Sequence, residues 1–326
     1  MRCYIQTYLY PGKGSVAMPI QICTIGGYDD VGRNATAVNV DGEVVIFDMG
    51  LHLEQYIKLT EDEDVINVSN TQLMRSGAVP NISFIKNWDK NVKAIIPTHA
   101  HLDHIGAIPF LAGNYPVPII CTPFTAAVIQ SIVKDEKIDF RNKINPMPAG
   151  SKMQITKNLT LEFVNVTHST PQTVIAALHT PYGIVMYAND FKFDSSPTLG
   201  KKPDYDKLKQ LGQKGVICLI VESTYAQEAI RMPSESIAQD MLRDVLLNVD
   251  SKGKAVIVTT FSSHIARLKS IIDCGKKMKR KVVFLGYFFQ FPIKISLAAD
   301  FMANGGPGSD GALGNSQILV GNDQLR

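Results

Sequence analysis

The segment Val92-Lys93-Ala94-Ile95-Ile96-Pro97-Thr98-His99-Ala100-His101-Leu102-Asp103-His104-Ile105-Gly106 constrains this chain more than any other. An apolar run that reads as a buried strand leads into a turn with three histidines and one aspartate within six residues, and a helix is predicted to open there. In an extended segment alternate side chains share a face, so His99 and His101 can meet one cation. Asp103 and His104, at the turn into the helix, can hold a second cation a few ångström away. Neutral imidazole and carboxylate suit zinc and similar divalent ions. Two such ions close together can activate water at neutral pH and clamp a phosphodiester.

Two ions need more donors than one turn supplies, and other strand ends offer them. Leu161–Val166 leads to His168, Ile184–Tyr187 leads to Asp190, and Val44–Phe47 leads to Asp48. A carboxylate such as Asp190 is a natural bridge between two cations. Asp48 is expected to hold a ligand histidine by hydrogen bonding. His52 either lines the cleft or lies on a surface loop, and His179, before the turn Thr180-Pro181-Tyr182-Gly183, reads as structural.

These motifs sit in an α/β pattern. Strands are predicted at Gln21–Ile25, Ala35–Val40, Val44–Phe47, Val92–Ile96, Ile119–Cys121, Leu159–Val166, Thr173–Leu178 and Ile184–Tyr187. Asp41-Gly42 is a hairpin-type turn signal between the second and third of them. Helices are predicted after Asp103, over Pro123–Lys134 and around Tyr205–Leu211. From Val216 the rhythm becomes strand (Val216–Val221), helix (Ser234–Val249, capped by Ser234), strand (Ala255–Val258), helix (Ser262–Cys274) and strand (Val282–Leu285), the pattern of a second unit with parallel strands. The glycine-rich stretch Ala303–Gly311 is expected to be disordered.

Composition excludes several classes. With 326 residues, 45% hydrophobic and 19% charged, the chain can build a substantial core. No apolar run approaches the roughly 20 residues needed to span a bilayer. Residues 1–17 lack a signal-peptide pattern, so secretion is not expected and the expected location is cytoplasmic. The first strand-like stretch opens only at Met18-Pro19-Ile20, so residues 1–17 read as an appended or unstructured start. Five scattered cysteines, with no C-x-x-C pair, predict reduced thiols. A net charge of +3 neither requires nor excludes a nucleic acid. The basic run Lys276–Lys281 is either a solvated turn or a contact for a phosphate backbone.

Two later segments bear on substrate. Val216–Val221 delivers Glu222 at a strand end, followed by Ser223, Thr224 and Tyr225. Thr259-Thr260-Phe261-Ser262-Ser263-His264 carries hydroxyls into a helix start, a ready anion site to which Arg267, one turn in, can add a charge-assisted contact. The same hydroxyls can equally serve only as helix caps.

Asp48, the H-x-H-x-D-H cluster, His168 and Asp190, in that order, resemble the metallo-β-lactamase superfamily over roughly residues 18–215. The resemblance implies an αββα sandwich with two divalent ions, zinc first among candidates, at one edge of the sheets. One ion takes His99, His101 and His168, the other takes Asp103 and His104, and Asp190 bridges. Ile25–Asn34, His168-Ser169-Thr170-Pro171-Gln172-Thr173, Asn189–Asp194 and Thr259–His264 are further similar to the β-CASP nucleases, specifically the archaeal branch of ribonuclease J, up to about Leu285. Glu222 matches that family's first β-CASP acid, so Asp48, Asp103, Asp190 and Glu222 are the carboxylates expected to act in catalysis. Ser262, Ser263, His264 and Arg267 are the expected phosphate contacts.

The resemblance implies cleavage of single-stranded RNA, largely 5′-to-3′ and favouring a 5′-monophosphate, with endonuclease activity and a homodimer both left open. It also implies a metallo-β-lactamase domain at 18–215, the start of an inserted β-CASP domain at 216–286, and a divergent tail at 287–326. That family carries three more histidines downstream, whereas this sequence has none after His264. The expectation is therefore a truncated or frameshifted chain with a weakened second cation site and poor activity. The alternatives are a lactamase- or thioesterase-type hydrolase of the same fold and a non-catalytic RNA-binding remnant.

Overall fold

The computed structural model describes residues 5–8, 20–60, 68–135, 138–284 and 317–321. Two compact units are present. One takes the chain up to Glu222 apart from Val166–Pro171 and Phe191–Pro203, and the other takes those two segments and the chain from Ser223.

The first unit is built on two sheets. One has seven strands in chain order: β1 (Ile5–Tyr8), β2 (Ile20–Gly26), β3 (Ala35–Val40), β4 (Glu43–Phe47), β5 (Val92–Ile96), β6 (Ile119–Cys121) and β7 (Ile144–Pro146). The other has five, β8 (Lys152–Gln154), β9 (Thr160–Asn165), β10 (Val174–Thr180), β11 (Gly183–Ala188) and β12 (Val216–Val221), in the order β12-β11-β10-β9-β8. The expected turn between β3 and β4 forms, with φ of 50° at Asp41 and 84° at Gly42, the left-handed pair that matches strand twist in a two-residue hairpin.

Alternation places Val38, Val45, Phe47, Ala94 and Ile96 on the inner face of the first sheet, against Phe163, Ala176, Val185 and Tyr187 of the second. The Phe47 and Tyr187 rings stack there at 4.9 Å and 10°. The intervening Ala37, Ile46 and Ile95 are buried too, so β3 to β5 are covered on both faces and read as continuous apolar runs. Helical elements flank the two sheets. They are α1 (Leu53–Thr60), α2 (Asn70–Ser76), the 3₁₀ segment Ile82–Asn91, α3 (Leu102–Ile105), α4 (Ile108–Leu111), α5 (Pro123–Asp135) and α6 (Tyr205–Gly215). The 3₁₀ segment packs on β2 and β4, α5 on β7, and α6 on β11 and β12. The layers are thus helix, sheet, sheet, helix: the expected αββα sandwich.

The second unit contains α7 (Glu235–Leu247), α8 (Ile265–Lys277) and a parallel sheet of β13 (Val256–Thr259), β14 (Lys281–Phe284) and β15 (Gln317–Gly321), ordered β13-β15-β14. Ser234 caps α7, its hydroxyl accepting from the Ser236 N–H. Helix α8 starts at Ile265 rather than at the expected Ser262, with His264 as its N-cap. Among the described residues no helix is long and apolar enough to cross a membrane.

Four expectations need correction. Val216–Val221 does not open the second unit, because β12 pairs in parallel with β11. With α6 as the crossover this is a βαβ step completed within one sheet, and the first unit runs to Glu222. The start is not wholly unstructured, since β1 pairs antiparallel with β2. Nor is the tail, since β15 lies between β13 and β14. The remainder of both segments, with Ala303–Gly311, lies outside the described residues. Finally, Cys23 is disulfide-bonded, whereas Cys121, Cys218 and Cys274 are free and buried.

His179 has the structural part expected of it. Glu162, only 1% exposed, lies on β9 and meets Lys152 at 3.0 Å, Lys207 at 3.2 Å and His179 Nε2 at 2.8 Å. Burial opposes its ionisation, but hydrogen bonds from Lys152, His179 and Lys207 outweigh that and hold the carboxyl below its usual range. A carboxyl whose folded pKa is depressed contributes stability above its unfolded value, lost as pH falls through the folded one. Glu162→Gln should cost about 1–3 kcal/mol at neutral pH. The gap from wild type should shrink below about pH 4, as read by urea unfolding across pH. A gap independent of pH would show that the carboxylate charge is not what matters.

Candidate metal centre

Topology brings the site residues to one edge. Strands β4 and β5 are parallel, with Phe47 opposite Ile96, so Asp48 and the His99–His104 turn leave the first sheet at the same end. In the second sheet β9 and β11 both run antiparallel to β10, which sends the chain toward His168 and Asp190 from a common end. The Val174 N–H donates to the Thr98 carbonyl at 3.1 Å and ties the two sheets together there. Asp48 and Asp190 both adopt left-handed backbone, with φ of 56° and 45°. Such conformations in non-glycine residues concentrate where a site requires them.

One donor atom from each of His99, His101, His168 and Asp190 lies within 4.8 Å of the others, and the same holds for Asp103, His104 and Asp190. His99 Nε2 is 3.0 Å from His101 Nδ1 and 3.9 Å from Asp190 Oδ2. His104 Nε2 is 3.4 Å from Asp103 Oδ2 and 3.5 Å from the same Asp190 oxygen. Asp190 Oδ2 therefore faces both groups. Imidazole nitrogens and carboxylate oxygens converging at these separations fit divalent cations of the zinc type. His99 and His104 are wholly buried, whereas the side chains of Asp103 and Asp190 are 24% and 29% exposed. The centre opens to solvent on its carboxylate side.

Asp48 lies behind the donors. It is fully buried. Its Oδ1 accepts from the Thr98 N–H at 2.8 Å, and its Oδ2 contacts His104 Nδ1 at 2.8 Å. The Thr98 hydroxyl adds contacts of 3.0 and 3.1 Å. A carboxylate at Nδ1 turns Nε2 of His104 toward the centre. Burial disfavours a charged His104, but Asp103 and Asp48 outweigh it and raise the imidazole well above its usual value. For Asp103, burial is likewise outweighed by the charge and hydrogen bond of His104, so its carboxyl stays well below the usual range. The negative field that favours a proton on His104 also favours a cation.

Three contributors were missed from sequence. Thr98 orients Asp48. Asn34 Nδ2 lies 3.1 Å from His104 Nε2 and 3.4 Å from Asp103 Oδ2, and it donates to the Asp103 carbonyl at 3.1 Å. Gly50 lets the Asp48 strand end lie against the histidine turn: the Met49 N–H donates to the His104 carbonyl at 2.7 Å and the Leu51 N–H to the Leu102 carbonyl at 2.9 Å. Asn34 and Gly50 both stand in short glycine-containing motifs beside assigned residues, which was the available signal. Glu222 leaves β12 at the Asp190 end of the sheet, its N–H donating to the Ala188 carbonyl at 3.2 Å. His52 caps α1, Nδ1 accepting from the Gln55 N–H at 3.4 Å, and its Nε2 lies 3.7 Å from Asp30.

The expected phosphate contacts sit in the second unit. Ser262 and Ser263 form the half-buried turn before α8. His264 Nδ1 accepts from the Arg267 N–H at 3.2 Å. The Arg267 guanidinium is engaged by Glu235, the first residue of α7, at 2.6 and 3.0 Å.

Residues 77–256 match the model of the β-lactamase superfamily domain. The chain is 47% identical over 270 residues to Ribonuclease J of Methanocaldococcus jannaschii, covering 82% of this chain and 60% of that protein. It is 44% identical over 269 residues to Ribonuclease J of Pyrococcus abyssi, covering 82% and 59%. It thus spans about 60% of the length of these curated relatives. A protein of unknown function from Enterococcus faecalis V583 superimposes with a TM-score of 0.61 at 15% identity, covering 93% of this chain and 77% of that one, a likeness of fold alone. The chain belongs to the β-lactamase superfamily and, within it, is similar to the ribonuclease J family.

Proposed function

We propose that this chain carries the hydrolytic centre of a ribonuclease that cuts single-stranded RNA from the 5′ end, favouring a 5′-monophosphate. The observation that carries the reading is Asp190 Oδ2 facing His99 and His104 at 3.9 and 3.5 Å, in a chain similar to ribonucleases J. We assign two zinc ions: His99, His101, His168 and Asp190 would hold one, and Asp103, His104 and Asp190 the other. When bound, such ions supply Lewis-acid activation of water and offset charge developing on phosphorus.

The chain's own groups set the stage for that chemistry. Asp48 fixes the ring of His104, and Thr98 fixes Asp48. Asn34 ties the Asp103 turn to the loop before β3. Glu222 is assigned as a further acid beside the reacting phosphate. Ser262, Ser263, His264 and Arg267 are assigned to the RNA backbone, which requires Arg267 to exchange Glu235 for phosphate, a substitution of one charge-assisted fork for another.

The test uses a 5′-labelled, 5′-monophosphorylated RNA with zinc or manganese, with and without chelator. Label should appear as mononucleotide at the earliest times, chelation should stop cleavage, and a 5′-hydroxyl RNA should be cut more slowly. His99→Ala and Asp190→Ala should each lower the rate by at least about a hundredfold. Turnover of a chromogenic lactam or thioester with no cut in RNA would overturn the proposal.

A further inference from the structure

The loop Gly26–Asn34 ends at the metal centre through Asn34 yet carries an aromatic ring that the centre does not use. Tyr28 is 48% exposed. Its hydroxyl, however, is anchored inward at 2.6 Å from Thr36 Oγ1, and Thr36 is a fully buried residue of β3. Thr36 stands opposite Phe47, the residue before Asp48. The anchored end of Tyr28 is thus beside the strand end that delivers Asp48, while the residue as a whole stays half exposed.

The loop is held at several points. A Cβ at Gly26 would meet the Arg33 carbonyl at 2.3 Å, and one at Gly27, where φ is 83°, would meet Asn34 Oδ1 at 2.4 Å. Arg33 forks onto Asp30 at 2.8 and 3.3 Å, and donates to the Gly77 carbonyl at 3.3 Å. The Asn34 N–H donates to the Asp103 carbonyl at 3.0 Å, and the Gly50 N–H to the Asn34 carbonyl at 3.0 Å. Burial, followed by the Thr36 hydrogen bond (which opposes it) and the charges of Asp48 and Cys218, pushes the Tyr28 phenol up to about 12. The ring is therefore neutral at every working pH.

An aromatic residue left half exposed near the strand end that delivers Asp48 keeps apolar surface in water until something covers it. An immobilised ring has little rotamer entropy left to lose when a flat partner docks. Nucleobases are such partners, because every base has a π-face, and base–aromatic stacking is tolerant of sequence. We propose that Tyr28 is a stacking platform for one nucleobase of the strand held at the metal centre, a positioning contact that sets the register of the phosphate to be cut. This rests on the ribonuclease reading above.

The experiment compares wild type, Tyr28→Phe, Tyr28→Leu and Tyr28→Ala in two measurements. The first is affinity for single-stranded RNA by fluorescence anisotropy with calcium in place of zinc. Tyr28→Phe should bind within about twofold of wild type, and Tyr28→Ala should bind about tenfold or more weakly, the range of one lost stack. Tyr28→Leu, which keeps apolar bulk without a π-face, should resemble Tyr28→Ala. The second measurement walks a single abasic nucleotide along the RNA. One position should weaken wild type as much as Tyr28→Ala does and have no further effect in that variant. Cobalt titration monitors the centre directly and should be the same in all four proteins. Equal RNA affinity in wild type and Tyr28→Ala, or abasic penalties that simply add to the Tyr28→Ala loss at every position, would overturn the platform while leaving the ribonuclease reading in place. If wild type itself neither binds nor cuts RNA, both fall.

Discussion

Asp48→Asn should weaken divalent-cation binding at the Asp103–His104–Asp190 group by about ten- to a hundredfold while leaving the fold intact. Asparagine has the volume of aspartate and is among the few residues that tolerate the φ of 56° found here. Its carbonyl can still accept from the Thr98 N–H. The amide nitrogen would then face His104 Nδ1, where an acceptor stood 2.8 Å away. A donor in that place demands an unprotonated Nδ1, which sends the proton to Nε2, the nitrogen that faces Asp103 and Asp190. An imidazole presenting N–H to the centre cannot serve as a ligand. The amide of Asn34, 3.1 Å from Nε2, then opposes a second donor and adds to the loss. The measurement is zinc affinity by competition with a chromophoric chelator, alongside urea unfolding of the cation-free proteins. Zinc affinity equal to wild type would show that Asp48 does not set the His104 tautomer. Asp48→Ala is less informative, because it also leaves the buried Thr98 N–H without its acceptor, which costs stability directly.

How far the sequence alone reaches is plain from the same residues. Strand boundaries around the site are legible because each ligand follows an apolar run of strand length, and those runs fall within a residue or two of β4, β5, β9 and β11. The convergence of Asp48 with the His99–His104 turn follows, since parallel neighbouring strands end at one edge. What does not follow is membership of a run that any buried strand could contain. Val216–Val221 is equally apolar as a new sheet's first strand or an old sheet's last, and only its pairing with β11 decides. Thr98 and Asn34 are illegible for another reason. A hydroxyl or amide that orients a ligand has no spacing of its own, because its partner is remote in the chain: Asn34 and His104 are 70 residues apart. Arg267 shows the converse, a residue well placed in sequence for an anion whose guanidinium the fold engages with Glu235.

Gly50→Ala should be the most damaging alanine substitution among the described glycines of the first unit. An ideal Cβ at this position would lie 1.6 Å from the Asp103 carbonyl oxygen, 2.0 Å from its carbon and 2.6 Å from the His104 nitrogen. All three are backbone atoms of the metal turn, so no side chain can swing aside to make room. Either the Asp48–Leu51 segment or the Leu102–Ile105 turn has to retreat by more than an ångström. Both are locked by the bonds from Met49 N–H to His104, from Leu51 N–H to Leu102 and from Asn34 N–H to Asp103. Breaking part of that ladder in a buried setting should cost about 3–5 kcal/mol, and whatever folds should bind zinc weakly because Asp103 and His104 are carried on the displaced turn. Gly113→Ala is the matched comparison: nothing lies within 4 Å of its Cβ position, so its effect should stay within about 0.5 kcal/mol. Urea unfolding gives the first quantity and zinc competition the second. A Gly50→Ala protein that melts and binds zinc like Gly113→Ala would mean that the strand end and the histidine turn are not pressed together as described. The site would then owe its geometry to the ligands alone rather than to the backbone that carries them.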